Sequence, residues 1–157
     1  GAFRLNGKLD RVERRGETVH ILDYKTGNPD RIHGVELEKL DPENRETWKV
    51  AISSLQLPVY AMLYSTSNGV PIENLAPAYV KLGQSTIDDA IEAPLFEDMA
   101  LATKGYQQVG RVVDGLLNEI TDSEVPFSPT ENVEKDCTYC PFQSICGTQW
   151  AGASITR

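Results

Sequence analysis

Residues 5–27 have the sequence LNGKLDRVERRGETVHILDYKTG, in which two short alternating segments flank a polar turn. The segments at residues 5–13 and 18–26 both have the period of two that is typical of β-strands. Between them, Gly16 supplies a residue that tolerates the positive φ of a tight turn. The stretch therefore predicts a β-hairpin.

The register of this hairpin decides which side chains meet. We take Glu13 to lie opposite Thr18, as after a loop of two or four residues. Asp10 then lies opposite Ile21 and diagonal to Asp23. Diagonal neighbours are about 7 Å apart, close enough for two carboxylates to share one divalent ion. We therefore expect Asp10 and Asp23 to form a metal-binding pair.

Strand alternation also assigns the faces of the hairpin. Asp23 and Lys25 project from the same face as Asp10 because successive side chains point to opposite sides. Below these three residues the same face is apolar and carries Val12, Val19 and Ile21. We expect these side chains to bury the base of the site. The opposite face carries His20, Leu22 and Tyr24. Two acids and one ammonium group are thus predicted to meet at one end of the hairpin.

These residue types suit the hydrolysis of a phosphodiester. The reaction needs a hard, oxygen-ligated cation that polarises the phosphoryl group and lowers the pKa of an attacking water. Lys25 can orient that water or offset the charge that builds on the phosphate. For an Asp-x-Lys sequence in isolation, a solvated ion pair on an exposed hairpin is the commoner explanation.

The segments GKLDRVE and ILDYKTG resemble the G-x-x-D and (D/E)-x-K motifs of the PD-(D/E)XK nuclease superfamily, in the form found in RecB and AddB helicase-nuclease subunits. The resemblance implies that Asp10 and Asp23 bind Mg²⁺ or Mn²⁺, that the carbonyl of Tyr24 can add a ligand, and that Lys25 is catalytic. It further implies an exonuclease acting on DNA in repair or recombination, with a helicase domain or subunit as partner.

Composition bounds the function. A chain of 157 residues that is 40% hydrophobic, with both charge signs throughout, predicts one globular domain, with a core at residues 3–121 and a cysteine-rich tail at 130–150. No apolar run approaches the roughly 20 residues of a membrane span, and no signal peptide is evident, so we expect a cytoplasmic protein. Because the sequence opens Gly-Ala-Phe, we expect a piece of a longer chain.

The charge is unevenly distributed. A net charge of −8 disfavours a protein that coats DNA, because such proteins bind mainly by neutralising phosphates. Residues 1–35 nevertheless have a balance of +2 and the remainder one of −10. The basic residues of this first segment surround the predicted site. Arg11, Arg14 and Arg15 can equally serve to protect a hairpin edge.

Residues 47–64 have apolar positions at helical spacing, which predicts an amphipathic helix. Pro58 conflicts with an uninterrupted helix, so the helix either kinks there or starts near Leu55. In both cases Gln56 and Tyr60 share a face. The pair resembles the Q-x-x-x-Y motif that RecB-like nucleases carry beside the active site, which implies a substrate-binding role. Without that resemblance, the two residues are ordinary for a surface helix.

The remaining elements complete an α/β pattern. Residues 28–46 predict a long loop that borders the substrate groove, and its His33 is a loop residue rather than a ligand. Residues 76–82 predict a strand, 84–94 a loop and 95–120 a helix. The order of hairpin, helix, strand and helix predicts an α/β sheet with helices packed on it. This order resembles the restriction-endonuclease-like core of the same superfamily. The resemblance implies a further helix before the hairpin, which we expect this sequence to lack, with little activity as a result.

All three cysteines lie near the end of the chain as C-x₂-C-x₅-C: Cys137, Cys140 and Cys146. Thiolates at this spacing suit Zn²⁺ or an iron-sulfur cluster, and both want four ligands, while three buried thiols without metal remain an alternative. The spacing resembles the iron-sulfur staple of AddB-type nucleases, whose fourth cysteine precedes the first core helix. We therefore expect a 4Fe-4S cluster in the full-length protein but not in this chain. A zinc site would need His33, His20 or water.

Three functions follow from these patterns. The favoured one is metal-dependent hydrolysis of DNA phosphodiesters. The second is a module of the same fold that grips DNA or a partner without cutting. The third is a small interaction domain in which the three cysteines bind zinc. The presence of Asp10, Asp23 and Lys25 together argues against the second function, because a module that does not cut has no need of all three.

Overall fold

The structure is a computed structural model that describes residues 3–28, 34–85, 88–126, 130 and 132–148. The chain divides into two compact units, residues 1–119 and 120–157, which are described separately below. Whether they act as one domain stays a prediction. Within the described part of the chain, no helix combines the length and the apolarity that crossing a membrane requires.

The first unit is built on a mixed sheet of four strands. They lie in the order β1-β2-β3-β4, with β1 and β2 antiparallel, β2 and β3 parallel, and β3 and β4 antiparallel. The strands are β1 (Arg11–Arg15), β2 (Thr18–Lys25), β3 (Leu75–Lys81) and β4 (Glu92–Pro94). This mixed sheet with its helices confirms the predicted α/β class.

A two-residue turn closes the β1–β2 hairpin. Arg15 pairs with Thr18, so only Gly16 and Glu17 lie between the strands. Gly16 has φ 62°, a left-handed conformation that costs an L side chain about 1–2 kcal/mol and glycine almost nothing. Positive φ at the first central position is typical of a type II′ turn, whose twist matches that of the strands. The hairpin and the role of its glycine are confirmed.

The predicted register of the hairpin is wrong by two residues. Glu13 pairs with His20 rather than with Thr18, and Asp10 does not lie opposite Ile21. The tight turn at Gly16 is the reason, because it lets pairing begin two residues closer to the turn. A shift of two positions preserves the faces, since the side-chain period of a strand is also two.

The predicted helix at residues 47–64 is in fact two helices, α1 (Arg45–Ala51) and α2 (Gln56–Asn68). Ile52 interrupts the run because its backbone is extended and forms a bridge with Val35. Pro58 lies in the first turn of α2, where a missing N–H breaks no intrahelical hydrogen bond. The kinked alternative is therefore wrong, and a start near residue 55 is confirmed.

The second predicted helix begins later than expected. A 3₁₀ turn, Met99–Leu101, leads into α3 (Ala102–Thr121), whereas the prediction began at residue 95. The backbone of Leu95 is engaged elsewhere: its N–H donates to the Pro77 carbonyl and its carbonyl accepts from Val35, both at 2.9 Å. These strand-like contacts exclude a helical conformation there.

The sequence did not reveal β4. Residues 84–94 were expected to form a loop, but Glu92–Pro94 pairs with β3 through Val80 and Ala78. A strand of three residues that ends in proline is too short to show a period of two. It nevertheless provides the second edge of the sheet, opposite β1.

One face of the sheet packs against the helices and forms the core of this unit. From β2 and β3 the core receives Val19, Ile21, Leu75 and Tyr79, and from the helices Ala51, Leu57, Ala61, Tyr106, Val109 and Val112. The other face carries a small apolar cluster of Leu22, Ala78 and Val80, against which Ile91 packs. Asp23 and Lys25 belong to the core-side face, at its polar end.

The second unit contains two short helices, α4 (Val133–Asp136) and α5 (Gln143–Cys146). Its three cysteines are reduced: Cys137 and Cys140 are half-buried and Cys146 is exposed. The Cys140 N–H donates to the Cys137 carbonyl at 3.1 Å, which closes the C-x₂-C turn.

Candidate active site

The two predicted metal-binding acids lie at neighbouring strand ends. The β1–β2 ladder ends at the pair Arg11 and Leu22, so Asp10 lies one residue beyond it. The Asp10 Oδ2 atom accepts a hydrogen bond of 3.0 Å from the backbone N–H of Tyr24. Asp10 is thereby fixed against the residue that follows Asp23. Continuing the ladder by one position brings Asp10 directly opposite Asp23 rather than diagonal to it.

Asp23 is the one buried charged residue in the described core, with 3% of its surface exposed. Its Oδ2 atom lies 2.5 Å from the Lys25 Nζ atom, yet it has no hydrogen-bond partner of good geometry among the described residues. The two observations agree if the contact is an ion pair of close charges rather than a directed hydrogen bond. Because a buried carboxylate is costly unless its oxygens are satisfied, Asp23 has capacity for a further positive ligand.

The ammonium group of Lys25 faces three groups. Besides Asp23, it donates a hydrogen bond of 2.9 Å to the Oε1 atom of Gln56 and lies 5.7 Å from the centre of the Tyr79 ring. Gln56 is the first residue of α2, and the parallel crossover from β2 to β3 brings this helix end to the sheet end. The fold thus places Gln56 within hydrogen-bond distance of Lys25.

The helix pair Gln56 and Tyr60 adjoins the same cluster. The Gln56 Nε2 atom lies 3.4 Å from the Tyr60 hydroxyl, which links Tyr60 to Lys25 through one side chain. The Tyr60 ring also lies against Gly7, where an added Cβ would be 2.3 Å from the ring atom Cε1. A glycine at that position is therefore required by the close approach of the ring, a reason that the sequence did not show.

Sequence reasoning missed Tyr79. This residue lies on β3 directly beside Asp23 in the parallel ladder, and 1% of its surface is exposed. Burial raises the pKa of its hydroxyl to about 12, with a further contribution from the charge of Asp23 and an opposing one from Ser54. The available signal was the strand alternation within APAYVKL, which sets Tyr79 and Lys81 on one face.

The family model of the PD-(D/E)XK nuclease superfamily matches residues 1–147. The chain belongs to this superfamily. No significant match was found among curated proteins or solved structures. Membership confirms the predicted superfamily and the restriction-endonuclease-like core, and it indicates nuclease activity in general.

As a superfamily member, the chain carries its acids and lysine in a setting that fits a divalent metal. Asp10 and Asp23 offer hard carboxylate oxygens, and one oxygen of Asp23 is buried without a directed partner. In the described residues no three side chains of the types His, Cys, Asp and Glu come together as a metal-binding group. A two-carboxylate site would therefore rely on backbone carbonyls, such as that of Tyr24, and on water for its other ligands.

The cysteine tail does not display a formed metal site. Among the described residues, no group of three potential metal ligands includes Cys137, Cys140 or Cys146. His33 lies outside the described residues. His20 lies on β2, on the face away from Asp23, where burial and then Arg15 lower its pKa.

Two of the three hairpin arginines are engaged in ion pairs. Arg15 makes a two-pronged contact with Glu92 on β4, at 2.7 and 2.8 Å, and also binds Glu13. Arg11 pairs with Glu13 as well. Hydrogen bonds from Arg15 lower the pKa values of both carboxyl groups. The Arg15–Glu92 pair links the two edge strands, and these contacts together favour the edge-protecting role for Arg11 and Arg15.

The loop after β2 is described from residue 34 onward. Val35 and Leu40 are buried in the core. Neighbouring residues line a groove of about 690 Å³, and Glu97 and Asp98 line it as well. The groove carries several acids, which does not favour a DNA phosphate there. Residues 29–33, the rest of the loop predicted to border the substrate, lie outside the described residues.

Mg²⁺ should stabilise the folded protein through Asp23. A ligand that binds only the native state stabilises it by about 2.7 kcal/mol when present at a hundred times its dissociation constant. We expect the midpoint of thermal unfolding to rise with added Mg²⁺ and the rise to vanish in Asp23→Asn. Asp114→Asn, which alters an exposed acid of α3, is the matched control and should keep the full rise. An equal rise in all three proteins would place the metal elsewhere.

Proposed function

We propose that this protein is a metal-dependent deoxyribonuclease that hydrolyses phosphodiester bonds at the Asp10, Asp23 and Lys25 cluster. The observation that carries the proposal is the buried Asp23 carboxylate, which lies 2.5 Å from the Lys25 ammonium and retains an oxygen without a directed partner. That oxygen is Oδ2, the atom nearest the ammonium, so Lys25 balances its charge without a directed hydrogen bond. A divalent cation could take over this role, because a buried carboxylate requires positive charge close by.

The chain would hold Mg²⁺ or Mn²⁺ through Asp10, Asp23 and the Tyr24 carbonyl. When bound, the metal supplies Lewis-acid activation of the phosphoryl group and a water of lowered pKa. The Tyr24 N–H fixes the Asp10 carboxylate through its 3.0 Å hydrogen bond. Because Asp23 is anchored in the middle of the sheet, the two ligands need little reorganisation when the metal enters.

Lys25 supplies the positive charge on the protein side. Its ammonium donates to Gln56 and retains capacity to donate to a phosphate oxygen or to the attacking water. A charge held in a partly dehydrated site acts more strongly than one in bulk water, and the Lys25 side chain is 29% exposed. Gln56 keeps that charge directed at the metal-binding end of the sheet.

Tyr60 is the proposed contact for the DNA strand next to the cut. Its ring forms part of the wall of a groove of about 300 Å³ between residues 5–9 and α2. An aromatic ring beside a phosphate-cleaving centre can stack on a base of any identity. Contact by stacking suits a nuclease with little sequence preference.

The finer assignment is an exonuclease of a helicase-nuclease in DNA repair or recombination, with a helicase domain or subunit as its partner. It is supported by the motif arrangement, Gly7 and Asp10, then Asp23 and Lys25, then Gln56 with Tyr60 and the cysteine tail. In the same assignment, Cys137, Cys140 and Cys146 would hold a 4Fe-4S cluster together with a fourth cysteine. That part rests on the cysteine spacing alone.

Substitution of the central residues should abolish cutting. In the full-length protein, Asp23→Ala removes a metal ligand and Lys25→Ala a transition-state charge, so each should lower the cleavage rate of labelled DNA by at least about a hundredfold. A chelator should have the same effect, reversed by excess Mg²⁺. Lys104→Ala, an exposed lysine of α3, is the control and should cut normally. Full cutting by both variants would assign catalysis to other residues, and DNA binding without any metal-dependent cutting would favour the non-cleaving module.

Removal of the Tyr60 ring should weaken the engagement of DNA. Stacking on one base is worth about 1–3 kcal/mol, so Tyr60→Ala should raise the KM for single-stranded DNA by roughly five- to hundredfold. Tyr60→Phe keeps the ring and should stay close to the wild type in KM. If Tyr60→Ala also leaves KM and kcat unchanged, Tyr60 serves only the packing against Gly7.

A further inference from the structure

Tyr79 places a large aromatic ring beside the charged groups of the site. It is the largest side chain among those in the described residues with less than 2% of their surface exposed, and it lies beside Asp23 in the β2–β3 ladder. Its hydroxyl is buried without a hydrogen-bond partner of good geometry among the described residues, and burial of such a group opposes folding. The part of this residue that can act on the site is therefore the ring.

The ring of Tyr79 faces the charge of the site. Its centre lies 5.7 Å from the Lys25 Nζ atom, within the range of a cation–π attraction. The electrons of the ring face attract an ammonium without accepting a proton or occupying a direction needed for hydrogen bonds. The Lys25 ammonium therefore lies over the ring while it donates a hydrogen bond of 2.9 Å to Gln56.

The hydroxyl end of Tyr79 faces the start of α2. Ser54 is near enough to oppose the rise in the Tyr79 pKa, although the two hydroxyls do not meet with hydrogen-bond geometry. The Ser54 Oγ atom in turn accepts from the backbone N–H of Gln56 at 3.2 Å. Tyr79 is thus next to Ser54, which helps to orient Gln56, the hydrogen-bond acceptor of Lys25.

We propose that Tyr79 is a positioning residue of the nuclease site, whose ring holds the Lys25 ammonium in place when Asp23 binds metal. The proposal rests on the proposed function. In the metal-free site Lys25 is attracted by Asp23 at 2.5 Å. A divalent cation on Asp23 competes for that carboxylate and repels the ammonium. Gln56 and the Tyr79 ring continue to attract Lys25 and keep its ammonium near the site.

The experiment separates the ring from the hydroxyl and from packing. Tyr79→Phe keeps the ring, Tyr79→Leu removes it, and Tyr79→Met removes it with a more adaptable side chain should the leucine variant fail to fold. Tyr106→Leu is the matched control, because Tyr106 is also a buried tyrosine with an unpartnered hydroxyl but packs on Phe96 at 5.0 Å. All variants are made in the full-length protein and assayed for kcat and KM on labelled DNA with Mg²⁺, at a temperature where each is folded.

We expect Tyr79→Phe to retain kcat and Tyr79→Leu or Tyr79→Met to lose about tenfold in kcat, with KM within twofold of the wild type. Tyr106→Leu should lose stability but keep its kcat. The inference is overturned if the ringless variants cut at the wild-type rate, or if Tyr106→Leu loses as much as they do. Either result would leave the Asp23 and Lys25 tests of nuclease function standing.

A second measurement does not depend on cutting. The ε-CH₂ signal of Lys25 in ¹³C-lysine-labelled protein, identified by its loss in Lys25→Arg, should be shifted upfield by the ring in the wild type and in Tyr79→Phe. In Tyr79→Leu or Tyr79→Met it should move to the position of exposed lysines, with and without Mg²⁺. An unchanged signal in the ringless variants refutes the contact. A protein that cuts no DNA but shows the expected shifts refutes the proposed function and the role in it, while the contact itself stands.

Discussion

The buried carboxylate of Asp23 is the constraint on which the rest of the site depends. Asp23 is buried because β2 and β3 pair in parallel. Its neighbour in the chain, Leu22, and its neighbour across the ladder, Tyr79, are buried as well. Once a carboxylate is buried there, positive charge has to be close, and Lys25 two residues later is on the same face. The same parallel pairing requires a crossover, and that crossover is the helix that delivers Gln56. The parallel pairing of β2 and β3 therefore determines both the fold and the positions of the site residues.

The sequence predicted the faces of the hairpin because the period of a strand is short and robust. It missed the register because two-residue and four-residue turns around Gly16 leave the same pattern of faces. The start of α3 was set too early because apolar spacing cannot distinguish Leu95 in a helix from Leu95 held by backbone contacts to a strand. Tyr79 was missed because its role arises from a neighbour on another strand, and no local pattern encodes that neighbour.

The distribution of charge assigns different roles to the two faces of the sheet. On the outer face, Arg15 joins the two edge strands through Glu92, above a small apolar cluster. On the core-side face, Lys25 contacts one acid and one amide, and Lys81 lies beside it in the β2–β3 ladder. Arg11 and Arg15 thus contribute to the architecture of the hairpin, and Lys25 is the cation that we propose to act on the phosphate. This division fits a chain whose net charge is −8.

The central claim is that Asp10 and Asp23 hold one catalytic metal ion beside Lys25. Anomalous diffraction from crystals grown with Mn²⁺ tests it most directly, because the signal locates the ion without reference to activity. The account predicts a single strong peak within about 2–2.5 Å of a carboxylate oxygen from each of the two aspartates, with the Lys25 ammonium still resting on Tyr79. A peak that contacts neither aspartate, or Asp10 and Asp23 side chains turned away from each other around an ion bound by only one of them, would contradict it.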